Sequence, residues 1–101
     1  MAFTNYNMTF IELKLLTEFP KELSPLLQAM WHDHQGNWEA SHNIAQEIDT
    51  RNGSWVHAYL HRKEGDQSNA TYWYHLAGKN MPSITLEKEW EEIVKALIKK
   101  E

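Results

Sequence analysis

Along this chain, apolar side chains recur mostly at the three- and four-residue spacing of amphipathic helices. Ser24 and Pro25 supply an N-cap followed by proline at the first helical position. Leu26, Leu27, Met30, Trp31 and His34 then share a face up to a natural stop at Gly36, which predicts a helix over 25–35. Asn37 can cap the next helix, over 38–48, whose inner stripe is Trp38, Ser41, Ala45 and Ile48. Asp49 to Gly53 reads as a turn-rich linker. Ser54 caps a helix over 54–64 with Trp55, Val56, Tyr59 and Leu60 facing inward, and Gly65 ends it. Asp66 opens a helix over 66–77 with Ala70, Trp73 and Ala77 on its inner side. After a loop containing Pro82, Thr85 caps a last helix over 85–100, with Leu86, Trp90, Ile93, Val94, Leu97 and Ile98 on one face. Its glutamates (Glu87, Glu89, Glu91 and Glu92) lie early and its lysines late, which suits the helix dipole and a solvated outer face.

The N-terminal part carries two conflicting signals. Thr9 and Glu12 make a capping box, whereas Ile11, Leu13 and Leu15 alternate with Glu12 and Lys14 at the period of a strand. No second clear strand offers itself for pairing, so residues 8–19 are expected to be an N-terminal helix in preference to an extended segment. Residues 1–7 are polar and expected to be loose. The expected fold is all-α: one domain over 1–101, built of five to six short helices as antiparallel hairpins.

Composition narrows the function classes. With 101 residues and 42% hydrophobic content, the chain can bury a real core with little to spare. A net charge of -4, with no basic cluster, argues against nucleic acid or an anionic membrane as a partner. There is no cysteine, hence no disulfide, thiolate metal site or thiol nucleophile. The N-terminus lacks the pattern of a signal peptide, and no apolar run is long enough to span a bilayer, so a cytoplasmic location is expected. No cofactor-binding motif is present: there is no glycine-rich phosphate loop and no nucleophile elbow.

The half-unit Gly65, Asp66, Ala70, Tyr72 or Trp73, and Ala77 resembles the second-helix pattern of tetratricopeptide repeats. A second copy begins at Gly36, 29 residues earlier, with Ser41 where the later copy has Ala70. The repeat is shorter than the tetratricopeptide unit and lacks its first-helix tryptophan-leucine-glycine spacing. The resemblance covers Ser24 to Gly78 and implies hairpins stacked in a right-handed array with the outer helices as caps. The string from His57 to Asp66, with Asn69-Ala70, Tyr72-Trp73-Tyr74 and Ala77-Gly78, also resembles an uncharacterised family of small bacterial proteins. That likeness implies no activity.

Two kinds of residue are candidates for function. His57 and His61 stand four apart, with Glu64 three further on, so all three lie along one side of a helix and can offer two imidazoles and a carboxylate to a transition metal. His42 or His34 can join them. Ala58 stands where a zincin would have its general base, which excludes that hydrolytic chemistry. The alternative is structural: imidazoles packed at a helix interface and hydrogen-bonded across it. His32 and His34, flanking Asp33, point about 200° apart on a helix and cannot share a ligand. Aromatic residues form the second group. Trp31, Tyr72 and Tyr74, with His34, His42, His57, His61 and His75, are candidates for a binding face, because a Tyr72-Trp73-Tyr74 run spans about 200° of helix and cannot be wholly buried. The leading expectation from sequence is a non-enzymatic module that binds a protein partner or self-associates. A small-ligand or metal site around His57, His61 and Glu64 is the alternative.

Overall fold

The computed structural model describes residues 8–100, so the expectation for residues 1–7 lies outside the described residues. Among the described residues there are six helices and no strand: α1 (Phe10–Leu15), α2 (Pro25–His34), α3 (Trp38–Ala45), α4 (Arg51–Glu64), α5 (Gln67–Leu76) and α6 (Leu86–Lys100). None is long and apolar enough to cross a membrane.

Helix α1 has the capping box in full. Thr9 Oγ1 accepts from the Glu12 amide, and Glu12 Oε1 accepts from the Thr9 amide at 2.8 Å. It stops at Leu15 and does not run on to Phe19. The backbone is extended at Leu16, and the Leu16 carbonyl is taken by the Trp31 indole N–H at 2.9 Å. Pro20, four residues on, has no N–H to give that carbonyl a helical bond, and the indole satisfies it instead.

The starts of α3, α5 and α6 follow local capping. Asn37, Asp66 and Thr85 each accept a backbone N–H three residues on. Helix α2 starts at Pro25 although Ser24 makes no side-chain cap bond. Two boundaries differ from the sequence expectation. Helix α3 ends at Ala45, and residues up to Ile48 tighten into a turn in which the Glu47 and Ile48 amides bond three residues back. Helix α4 begins at Arg51, capped by Thr50 Oγ1 on the Gly53 amide, so Ser54 is an interior residue and not the cap. Gly53 lies inside this helix, with the Ile48 backbone packed against it: a Cβ would fall 2.0 Å from the Ile48 carbonyl oxygen. The glycine that reads as a linker is a packing requirement.

Helix α4 is the centre of the molecule. Its residues from Gly53 to His61 are all buried, and it packs against α2, α3, α5 and α6. Gly65, at φ +90°, ends it in a left-handed cap, and the Asp66 amide returns to the His61 carbonyl at 2.9 Å. That turn folds α5 directly back onto α4. Helices α2 and α3 pair likewise across Gly36, and α6 lies across both α2 and α4, burying Trp90, Ile93, Val94 and Leu97 against Leu27, Met30 and Leu60.

The acidic start of α6 needs one correction. Glu89 is only 1% exposed; it is not part of a solvated face. Its carboxylate accepts from the Trp55 indole at 3.1 Å, the Tyr74 hydroxyl at 2.6 Å and the Arg62 guanidinium at 2.7 Å. Asp33, equally buried, accepts from Tyr59 at 2.8 Å and Lys63 at 2.9 Å. Each buried charge is matched by hydrogen-bond donors, which is the condition for a tolerable buried ion pair.

Candidate metal site at a histidine cluster

Three helices converge on one group of side chains. The Asn37 cap sets the phase of α3 so that Trp38 and His42, four apart, share a face. That face meets the side of α4 carrying His57, His61 and Glu64, and the Gly65 turn brings Trp73 of α5 over the same place. The Trp38 indole donates to the Leu60 carbonyl at 2.8 Å, which pins α3 to α4 at this level.

The geometry is close. His42 Nε2 and His57 Nε2 are 2.9 Å apart, so one donates to the other. The His61 ring centroid is 4.9 Å from that of His57 and 5.2 Å from that of His42. One nitrogen from each of the three imidazoles lies within 4.8 Å of the others. His61 Nδ1 bonds Glu64 Oε2 at 2.6 Å, which leaves His61 Nε2 as its free nitrogen. Trp38 stacks on His42 at 4.7 Å between centroids, and Trp73 on His57 at 3.9 Å. Two indoles thus wall the cluster.

Burial and mutual repulsion disfavour the charged forms of His42 and His57. Burial, together with His42 and His61, pulls the His57 imidazole down from 6.5 to about 4. His42 is lowered by burial and by His61, against an opposing pull from Glu64. His57 is 5% exposed, and its Nδ1 has no hydrogen-bond partner. A buried polar nitrogen without a partner costs about 1–3 kcal/mol.

The structure separates the other sequence candidates. His34 is exposed and lies against Trp90, 5.4 Å between centroids, near α6 and away from the cluster. Trp31 is buried between α1 and α2, and Tyr74 is buried at Glu89. Tyr72, 57% exposed, and His75 are on the outer surface of α5. Of the face drawn from sequence, only His42, His57 and His61 come together. Trp38 and Trp73 belong to the site and were missed as its partners. The spacing Trp38 to His42 was the available signal, but only the packing of α3 on α4 gives it meaning.

Glu64 bonds His61 Nδ1 and lies outside the group that His42, His57 and His61 form. The triad His61, Glu64 and Asp66 also brings possible ligand atoms within 4.8 Å. There, however, Asp66 is held by the Asn69 amide at 3.3 Å, the Asn69 side chain at 2.8 Å and the Ser68 hydroxyl. Its lone pairs serve the start of α5.

A scan against protein-family models and searches of curated proteins and of solved structures found no match to this chain. What the protein does has to be read from the site itself.

Proposed function

We propose that this protein binds a divalent transition metal, of the zinc class, through His42, His57 and His61. The observation that carries this reading is the approach of three imidazole nitrogens to within 4.8 Å, with a carboxylate already on the far nitrogen of one ring. Metal–nitrogen bonds of about 2.0–2.1 Å in a tetrahedral site need nitrogens about 3.3 Å apart, so only small rotations of these rings are required. Glu64 on His61 is the carboxylate–histidine pairing that orients a ligating ring and raises its basicity. An all-nitrogen set without thiolate suits zinc, copper or nickel, and is unsuited to magnesium or calcium.

The test is thermal unfolding with and without metal. At free zinc 100-fold above its dissociation constant, stabilisation is about 2.7 kcal/mol. For a domain of this size that corresponds to roughly 10 °C or more in Tm, reversed by a chelator. His57→Leu is expected to abolish the shift, and Glu64→Gln to weaken affinity about 10–100-fold without removing it. A Tm indifferent to zinc, copper and nickel ends this reading.

The two hairpins, α2–α3 and α4–α5, fit the tetratricopeptide-like resemblance, which concerns architecture and brings no activity. The lack of cysteine fits a reducing cytoplasm. A second reading, self-association or protein binding, is favoured by one observation: Tyr72 and Leu76, four apart on α5, are 57% and 44% exposed. It requires a mass that rises with concentration in light scattering, reversed by Tyr72→Ser. A strictly monomeric protein that also binds no protein partner through this stripe removes it.

A further inference from the structure

We infer that the metal held by His42, His57 and His61 keeps one coordination position open to an exogenous ligand, either water or a small anion. This inference rests on the proposed metal site and concerns what the site is for. Zinc-class ions in closed structural sites take four protein ligands, whereas sites with three protein ligands and one exchangeable ligand are of the kind that do chemistry or sense small molecules.

Among the described residues the protein offers no fourth ligand. The chain has no cysteine. Among the described residues no further histidine or carboxylate atom joins the three imidazoles. Glu64, the nearest acid, is spent on His61 Nδ1, and Asp66 on Asn69 and Ser68. Neither can swing inward without losing those bonds.

The surroundings favour a small guest. Trp38 over His42 and Trp73 over His57 close two sides with flat apolar rings, and both indoles are half-buried. His42 is itself half-buried and sits on the α3 side, so the cluster reaches solvent there and past Glu64. Flat apolar rings on two sides suit water, azide or a similarly compact donor. An incoming anion would also meet no competing carboxylate, since Glu64 is held on the far side of the His61 ring.

The experiment uses the full chain loaded with Co2+, whose visible absorption reports coordination number and ligand exchange. Bands of a four- or five-coordinate ion, shifting saturably on titration with azide, are the expected result. Intense bands that azide leaves unmoved, up to concentrations that perturb cobalt in buffer, would mean a closed site and overturn this inference while leaving the metal site standing. Absence of protein-bound cobalt bands would overturn the metal reading and this inference together. Because both measurements are made on the unaltered protein, neither depends on a variant that fails to fold.

Discussion

His57 carries more cost than a core residue should. Its ring sits among apolar and aromatic neighbours, one nitrogen has no partner, and two other imidazoles crowd it. The consequence for stability has a definite sign. Its folded value, about 4, lies below the ordinary 6.5, so the unfolded chain binds a proton in that window and the folded one does not. Stability contributed by neutral His57 is fully present above pH 6.5 and is lost as pH falls through about 4. Thermal unfolding of the metal-free protein should therefore show Tm falling across that interval, and His57→Leu should flatten the profile. A wild-type curve no steeper than that of the Leu variant would show that the ring does not stay neutral. Near pH 7 His57→Leu should change the stability of the metal-free protein little, since it removes the unpartnered Nδ1 but also the bond from Nε2 to His42.

The α4–α5 hairpin depends on small residues where the helices touch. Ala70 is fully buried, and the two-residue connection at Gly65-Asp66 gives α5 no freedom to move away from α4. Ala70→Leu adds three carbons with no space to receive them, at a cost of about 1–3 kcal/mol or more. Chemical denaturation would read this as a lower midpoint, and near-normal stability would mean that the hairpin can open at this level. The effect should reach the site as well, since Trp73 stacks on His57 from the same helix.

At the scale of the whole molecule, Glu89 joins α4, α5 and α6 through Trp55, Arg62 and Tyr74. Arg62 extends the junction to the Ile84 carbonyl before α6. Burial and the Glu89 carboxylate raise the Tyr74 hydroxyl well above its usual range, so it stays a donor at every physiological pH. Removing the carboxylate strands a guanidinium, an indole N–H and a hydroxyl together. Glu89→Ala should cost about 3–5 kcal/mol, a large share of the stability of a domain this small, measured by urea unfolding. A loss under 1 kcal/mol would mean that water replaces the carboxylate. The proposed metal site lies on the opposite side of α4, so if it binds zinc, the ion should partly restore the Glu89 variant's Tm without restoring its packing.

Much of this fold was legible in local signals. Asn37, Asp66 and Thr85 cap helices where their side chains suggest, and the inward stripes of α4 and α6 are buried, because capping and helical periodicity act over three or four residues. Gly53 and Glu89 were misread for the opposite reason. A glycine looks like a linker until the Ile48 carbonyl is seen against it, and an early glutamate looks solvated until Trp55 and Tyr74 arrive from 34 and 15 residues away. The candidate site divides along the same line. His57, His61 and Glu64 share a face by helical spacing alone, so the sequence determined that these three lie together. That His42 joins His57 and His61, that Glu64 bonds His61 outside that group, and that His34 and Tyr74 stand apart were decided only when α3 and α5 packed on α4. Spacing sets which side chains share one helix face; it carries no information on which faces of separate helices meet.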